Sequence, residues 1–220
     1  NADILLPQLK NDDFIIDIRR FNAKEKSGIT LIGLQGLFHV AATGVCAKCL
    51  EIELGNSKLL FNDIALSHNN WAELSEKVKT VPLDITIQRG SYITLCDLSP
   101  FIPGFKDMNE RFNLDISLNG ELNDLSINKL IISHENKPIN INAKGTVTDI
   151  KSPASAQFIL SDFNVNAIAS DVSKILVATN AIEPQLATKI NQLGNIAING
   201  KFNGKPLDAI FEGEITSALG

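Results

Sequence analysis

Three histidines are the first candidates for chemistry, because imidazole is the side chain that most readily exchanges protons or binds metals near neutral pH. His39, His68 and His134 lie far apart in the sequence, and none belongs to a His-Glu-x-x-His or Gly-x-Ser-x-Gly motif. His39 stands in a run without charged residues, which predicts a packed core histidine. His68 and His134 stand in polar, turn-like contexts that predict solvated side chains. None of the three indicates a catalytic or metal-binding role.

The three cysteines, Cys46, Cys49 and Cys96, do not form a disulfide framework. Cys46 and Cys49 make a Cys-x-x-Cys pair, which indicates redox activity only beside a βαβ pattern. On a regular strand, the odd offset between them would place the two thiols on opposite faces. We therefore expect ordinary small-residue packing, with a disulfide or a metal site as the alternative.

Acidic residues form no recognisable catalytic or metal-binding motif. Asp12 and Asp13 come just before a predicted strand and are interpreted as solvated turn residues. Glu51, Glu53 and Asp63 could line one strand face, but they lack the alternating Asp and Gly of a calcium loop.

The segment 194–201 has only a superficial likeness to a phosphate-binding loop, since its spacing is wrong and Phe202 stands where Ser or Thr is needed. We therefore predict that the protein is not an enzyme and uses no metal or cofactor. A carbohydrate-active β-helix enzyme is the catalytic alternative, because its acids would come from distant strands and leave no local motif.

Composition narrows the class of protein. At roughly 150 residues per domain, 220 residues suggest one or two domains. We expect one elongated unit over 1–220, with possible sub-units 1–98 and 99–220. A hydrophobic content of 44% excludes intrinsic disorder, and a net charge of −5 argues against nucleic-acid binding, which needs clustered Lys and Arg. The 28 Ile and 22 Asn residues suit half-buried strands better than helices.

The sequence shows no initiator Met, no signal peptide and no terminal tail, so we expect a segment of a longer protein. The stretch from Ser27 to Ala47 has no Asp, Glu, Lys or Arg and is long enough to span a membrane. Its four glycines, its polar residues and the lack of flanking aromatic residues favour strands instead.

Alternation of apolar and polar residues recurs along the chain and is the main signal for half-buried strands. The alternating segments are 14–19, 83–88, 114–119, 139–144, 157–161 and 195–199. This pattern is typical of an antiparallel sheet with one solvated side and argues against a doubly wound parallel sheet. Turns are predicted between strands at Gly55-Asn56, Arg89-Gly90, Asn123-Asp124, 134–138 and Asn203-Gly204.

Four short helices are predicted to interrupt the strands and to cap or plug the sheet. The first covers about 70–79, and the second is a brief turn that starts at Ser99-Pro100 and ends at Pro103-Gly104. The others cover 170–178 and 184–193, with Gly194 as a stop signal. Their predicted inward-facing residues are Trp71, Leu74, Val78, Val172, Ile175, Leu176, Leu186, Ile190 and Leu193.

One internal repeat links 116–124 to 196–204, which lie 80 residues apart. Both follow the pattern apolar-x-apolar-Asn-Gly-charged-apolar-Asn-turn. We predict that Gly120 and Gly200 lie inside strands, at bulges or points of close backbone approach, and that hairpins follow them. The repeat favours an elongated sheet that grows by addition of units.

An ordered set of segments carries a family resemblance over nearly the whole chain. The segments include Phe21-Asn-Ala-Lys-Glu-Lys-Ser-Gly-Ile29, Leu34-Gln-Gly-Leu-Phe-His39, Thr43-Gly-Val45, Leu50-Glu-Ile-Glu-Leu-Gly-Asn-Ser57, Asp97-Leu-Ser-Pro-Phe-Ile-Pro-Gly-Phe-Lys106, Leu114-Asp-Ile-Ser-Leu-Asn-Gly120, 193–204 and 213–220. Together they resemble the periplasmic part of TamB-like translocation and assembly module proteins of the Bacteroidetes type, in the AsmA-like superfamily. The pair Cys46 and Cys49 is not part of that pattern.

The resemblance implies a mostly β fold, in which a curled antiparallel or mixed sheet forms a β-taco-like trough with short capping or inserted α-helices. It also implies a periplasmic location, an N-terminal inner-membrane anchor elsewhere in the full-length protein, and an outer-membrane barrel-assembly partner bound by other parts of that protein. Related proteins are linked to outer-membrane biogenesis, through phospholipid transport between the membranes and through assembly or secretion of outer-membrane proteins.

Twelve apolar residues are predicted to line the trough and to contact phospholipid acyl chains. They are Leu83, Ile85, Ile87, Leu114, Ile116, Leu118, Ile127, Ile139, Ile141, Phe158, Ile196 and Ile198. Periodicity alone equally allows a closed sandwich whose core they fill. The function predicted first is lipid conduction, and the alternative is a scaffold that holds outer-membrane polypeptides by strand addition.

Overall fold

The computed structural model describes residues 2–10, 13–24, 30–68, 81–121, 123–149, 156–205 and 208–219. Twelve strands in these ranges form one antiparallel sheet, in which the order along the chain is also the order in the sheet. The strands are β1 (Ala2–Lys10), β2 (Asp13–Lys24), β3 (Thr30–Ala41), β4 (Gly44–Leu54), β5 (Ser57–Ser67), β6 (Pro82–Thr94), β7 (Arg111–Glu121), β8 (Asp124–His134), β9 (Asn140–Thr148), β10 (Gln157–Ile168), β11 (Asn195–Lys205) and β12 (Asp208–Ser217).

The sheet is open, because β1 and β12 stand at its two edges and do not pair with each other. Alternation of apolar and polar side chains recurs in the strands, and between the bulges the neighbouring strands repeat it in register, so one side of the sheet can be buried while the other faces water. The predicted fold, a mostly β chain with one curled antiparallel sheet and short helices, is confirmed. All the described strands belong to this one sheet, unlike the two separate layers of a closed sandwich.

Register shifts recur near the middle of the strands. They lie between Ile18 and Phe21, Phe61 and Ile64, Ile87 and Ser91, Ile127 and Leu130, and Leu160 and Phe163. A bulge bends its strand and increases the local twist. Because these bulges fall at matching positions on neighbouring strands, they bend the sheet along a line that crosses the strands, and this line is the physical origin of the curl.

Two predicted turns are wrong because bulges and turns use the same residue types. Arg89 and Gly90 lie inside β6, where Gly90 has a φ of 95° and forms part of the bulge. Asn203 and Gly204 lie inside β11, which continues to Lys205. The turns predicted at 55–56, 123–124 and 134–138 do connect consecutive strands.

The first copy of the internal repeat, 116–124, ends β7 and begins β8, whereas the second copy, 196–204, lies entirely inside β11. The glycines of both copies lie inside strands, as predicted. A Cβ atom on Gly120 would lie 2.4 Å from the carbonyl oxygen of Asp124. A Cβ atom on Gly200 would lie 2.2 Å from the carbonyl oxygen of Glu212. Both contacts are with backbone, so these positions require glycine to let the neighbouring strand approach.

Two α-helices connect β10 to β11: α1 (Ala169–Ala178) and α2 (Pro184–Asn191). Both were predicted, and Gly194 follows them with a φ of 69°. The inward face predicted for the second helix is partly wrong, because Leu186 is exposed. The helix predicted at 70–79, with Trp71, Leu74 and Val78, lies outside the described residues.

The connection between β6 and β7 contains two 3₁₀ turns, Leu95–Leu98 and Pro103–Phe105. The turn predicted from Ser99-Pro100 is present over 99–101, between these two 3₁₀ turns. The predicted stop at Pro103-Gly104 is wrong, because Pro103 begins the second 3₁₀ turn. The Asp97 carboxylate anchors the first turn by accepting hydrogen bonds from the Asn56 backbone N–H at 2.7 Å and the Ser57 hydroxyl at 2.5 Å.

The uncharged stretch 30–47 forms β3 and part of β4, as predicted, and residues 27–29 lie outside the described ranges. Within those ranges no helix combines the length and the apolar character that crossing a membrane requires.

Candidate functional site

The largest candidate site is the side of the sheet that carries the apolar residues, here called the apolar face. Residues directly opposite each other on antiparallel strands point to the same side of a sheet, so the register defines this face. One continuous row, here called the floor row, crosses six strands from β7 to β12. It consists of Leu114, Ile132, Ile141, Val165, Ile198 and Ile215.

All twelve predicted trough residues belong to the apolar face. Ile85 pairs with Leu118, which pairs with Ile127, and Ile87 pairs with Ile116. Leu83 and Phe158 belong to another row, which runs through Gly120, Leu125 and Val147. Leu114, Ile141 and Ile198 belong to the floor row, and Ile196 pairs with Ala167 beside it. Ile139 directly precedes β9 and is buried in a cluster with Phe112 and Ala167. Their contact with lipid stays a prediction.

Burial along the apolar face is graded. Ile127 and Ile139 are buried, and the other ten predicted residues are half-buried. Two clusters follow the line of bulges, one around Ala47, Leu50 and Phe61 and the other around Leu125, Ala143 and Leu160. Towards the edges the face becomes open, and Leu9 of β1 and Ile215 of β12 are 68% and 64% exposed.

A third cluster lies where the β6–β7 connection and α1 fold over the apolar face. Its buried members are Leu95, Phe105, Phe112, Ile139 and Ala167. Val172, Ile175 and Ala178 of α1 pack against it from above. Sequence reasoning left open whether the helices cover the trough or stand at its ends. The structure shows that α1 packs against the cluster that contains Ile139 and Ala167, at one end of the apolar face.

The opposite side of the sheet, here called the polar face, carries Asn ladders and ion pairs. Asn142 pairs with Asn164, which pairs with Asn199. Asp115 is ion-paired with Lys129 and with Arg89, whose Nε lies 3.1 Å from Asp115 Oδ2. Hydrogen bonding from the Lys129 ammonium lowers the pKa of Asp115, with a smaller contribution from Arg89.

A second ion cluster on the polar face joins Glu51 and Glu53 to Lys58. The hydrogen bond from Lys58 lowers the pKa of Glu51, and the same contact raises the pKa of Lys58. Both pKa shifts mean that the contact stabilises the charged forms of Glu51 and Lys58. Asp63 pairs in register with Lys48 on the same side of the sheet. These acids therefore share a face, as predicted, and ion pairs with Lys58 hold Glu51 and Glu53 there.

The predictions for His39 and His68 are wrong. The side chain of His39 is 47% exposed and contacts the Asp13 carboxylate, because its position in β3 points to the polar face. His68 is buried, at 7% exposure, after the end of β5. Burial of a residue next to a turn depends on what covers it, and the local sequence does not specify that.

His134 was predicted to be solvated and is instead half-buried at the end of β8, where its ring meets Phe112 edge-on at 5.1 Å. Its Nδ1 accepts a hydrogen bond from the backbone N–H of Asn136 at 3.0 Å, so the proton of the neutral ring sits on Nε2. Nε2 is buried and has no hydrogen-bond partner among the described residues. Burial lowers the pKa of His134, and the nearby Lys137 ammonium lowers it further.

The cysteines are free thiols, and a bulge separates the pair in β4. Cys49 has a φ of 51°, and the register with β3 shifts there, so Ala47 and Leu50 both lie on the apolar face despite their odd offset. The regular alternation assumed for Cys46 and Cys49 is therefore wrong. No group of three or more His, Cys, Asp or Glu side chains that could hold a metal ion occurs in the described part of the chain.

Comparison with known proteins gives no relative: no protein-family model, no curated protein and no solved structure matches the chain. The geometry of the apolar face and the sequence resemblance are the two observations that bear on function.

Proposed function

We propose that this chain is a segment of a periplasm-spanning protein of outer-membrane biogenesis and that its apolar face carries phospholipid acyl chains between the two membranes. The observation that supports the proposal is the continuity of the apolar rows across an open, bent sheet whose other face is polar. Such a surface can shield an acyl chain while the head group stays in water.

The energetic reason is the cost of exposing hydrocarbon to water. At about 0.8 kcal/mol per CH₂ group, moving a 16-carbon chain through water costs on the order of 12 kcal/mol. A row of apolar side chains that continues from strand to strand removes most of that cost at every point of the path. The floor row crosses five strand intervals, or about 24 Å at roughly 4.8 Å per interval.

The resemblance to TamB-like proteins supplies the remaining parts of the proposal. In the full-length protein an N-terminal anchor would lie in the inner membrane, and another region would engage an outer-membrane barrel-assembly partner. In this scheme the segment binds acyl chains without catalysis, and its partners are phospholipids rather than nucleic acids.

The proposal is tested by photocrosslinking in cells. A photoreactive amino acid is placed at Ile116 on the apolar face or at Ser117, its neighbour on the polar face, in the full-length protein. Phospholipid adducts should form at Ile116 and be absent at Ser117. Adducts at neither position, or equal adducts at both, would contradict lipid conduction along this face.

The open edges of the sheet support a second candidate function, a scaffold for outer-membrane polypeptides. Edge strands present unpaired backbone groups that can receive an added strand, and Ile210 and Ile215 of β12 are also exposed. The same photoreactive residue placed at Ile215 separates the two functions. Adducts with client polypeptides at Ile215, without lipid adducts at Ile116, would favour the scaffold.

A further inference from the structure

The two helices are inserted between strands that are themselves neighbours. Ile168 at the end of β10 pairs with Asn195 at the start of β11, and the Ala169 N–H donates to the carbonyl of Gly194 at 2.8 Å. Both ends of the segment 169–194 therefore leave the sheet from the same place. A segment attached in this way can swing away from the sheet while every strand pair stays intact.

The underside of this segment occupies the apolar face. Val172, Ile175 and Ala178 lie on one side of α1 and pack against the cluster that contains Phe112 and Ile139. These side chains fill the space that an acyl chain would fill on the same surface. Ligand and helix thus compete for one end of the face.

An ion pair holds α1 in this position. Lys137, in the turn between β8 and β9, places its Nζ 2.8 Å from Oδ1 of Asp171 in the first turn of α1. The Asp171 side chain is only 12% exposed, so the contact is shielded from water on one side. Lys174 stands 3.8 Å from the same oxygen but lies on α1 itself, so it would move with the helix.

The far end of α1 meets the β6–β7 connection backbone to backbone. A Cβ atom on Gly104 would lie 2.0 Å from the carbonyl oxygen of Ala178, so only glycine permits this approach. This contact limits how closely α1 can approach the β6–β7 connection.

The second helix follows the first and is attached to it rather than to the sheet. The Ser173 hydroxyl donates to Oδ1 of Asn191 at 2.5 Å, and Ser173 is itself 1% exposed. None of the residues of α2 is buried. The pair of helices can therefore move as one body.

We propose that residues 169–194 form a lid over one end of the apolar face and that the ion pair between Lys137 and Asp171 is its latch. Opening the lid exposes Phe112, Ile139 and Ala167 to an acyl chain, so this end of the face is loaded only in the unlatched state. The identity of the ligand as an acyl chain rests on the proposed function, whereas the effect of the ion pair on α1 can be measured without any ligand.

The test compares Lys137→Met with Lys144→Met, which removes an exposed lysine from the polar face of β9. Hydrogen exchange of the α1 amides should become about tenfold faster in Lys137→Met, in line with the loss of one charge-assisted hydrogen bond. Exchange should be unchanged in Lys144→Met. Unchanged exchange in β3–β5 shows that the variant is folded.

A photoreactive fatty acid then reports on loading. Adducts near Phe112 and Ile139 should increase several-fold in Lys137→Met, while adducts near Phe61, which lies outside the lid, should match those of the wild type. The lid is contradicted if Lys137→Met gives adducts near Phe61 but no increase near Phe112. It is also contradicted if the exchange of the α1 amides is unchanged in Lys137→Met. Either result leaves the proposed function in place. If no variant forms adducts near Phe61, the proposed function is contradicted. The acyl chain is then also contradicted as the ligand that the lid admits.

Discussion

Asp115 on β7 is ion-paired with Lys129 on β8 at the line where the sheet bends. Lys129 belongs to the bulge between Ile127 and Leu130, and Arg89, which approaches Asp115 from the other side, belongs to the bulge of β6. A carboxylate on a regular strand thus ties together the bulges of its two neighbours. The side chain of Asp115 is only 9% exposed, so Lys129 and Arg89 rather than water stabilise its negative charge.

Replacing Lys129 with Met should lower the free energy of unfolding by about 2 kcal/mol, because a largely buried carboxylate loses its strongest hydrogen bond. Urea denaturation measures the change, and Lys144→Met should shift stability by less than about 0.5 kcal/mol. Because the pKa of Asp115 is lowered from 3.8 by folding, the contribution of the pair is complete above pH 3.8 and is lost as the pH falls through the folded value. If Lys129→Met remained equally less stable than the wild type below the folded pKa of Asp115, the stability difference could not be assigned to this ion pair.

Replacing Gly145 with Ala should destabilise the sheet by roughly 1–3 kcal/mol through overpacking. Its Cβ atom would lie 2.1 Å from the carbonyl oxygen of Ile159 and 2.7 Å from Cα of Leu160, beside the bulge of β10. The matched control is Gly33→Ala, whose nearest neighbour would be the flexible Glu53 carboxylate at 3.2 Å. Thermal unfolding compares the two variants. Equal losses would show that close backbone approach at the bend is unimportant.

Replacing Ile116 with Asp should abolish acyl-chain binding while the chain still folds, because a carboxylate on the apolar face must be solvated where hydrocarbon would lie. Ser117→Asp changes the same strand on the polar face and should leave binding intact. Native mass spectrometry of each purified chain, with phospholipid added in detergent, gives the bound fraction. Equal lipid binding by both variants would place the lipid elsewhere.

Replacing His134 with Leu should remove a pH-dependent part of the stability. Folding lowers the pKa of His134 below 6.5 through burial, so the unfolded chain binds more protons than the folded chain just below pH 6.5. Wild-type stability should therefore fall as the pH drops from 6.5 towards the folded pKa, with a slope of at most about 1.4 kcal/mol per pH unit from this residue.

The charged groups that act on His134 are Lys137, Asp171, Glu110 and Glu135. Chemical denaturation at several pH values should show a flatter profile in His134→Leu between pH 6.5 and the folded pKa. An identical pH profile in His134→Leu and the wild type would show that His134 does not cause this pH dependence of stability.

The sequence predicted the faces of the strands well, because side-chain alternation is a local property with a period of two residues. Ile85, Ile116 and Ile141 could be placed on one face without knowledge of their neighbours. Both helices between β10 and β11 could also be predicted, from their local start and stop signals.

Predictions failed where the same local signal has two structural outcomes. Arg89-Gly90 is a bulge rather than a turn, since glycine with positive φ suits both and only the pairing of β6 with β5 and β7 decides between them. His39 and His68 were assigned to the wrong environments, since burial depends on strand direction and on covering segments. The ion pair of Asp115 joins residues from three strands and leaves no spacing pattern.

Local sequence patterns specify a β-sheet protein with one apolar and one polar side, because alternation and hairpin signals act between residues close in the chain. The bend of the sheet, the packing of α1 against the cluster that contains Ile139, and the set of apolar residues that remain half-buried emerge only in the folded chain. Those properties arise from contacts between residues far apart in the sequence, and local patterns do not encode such contacts.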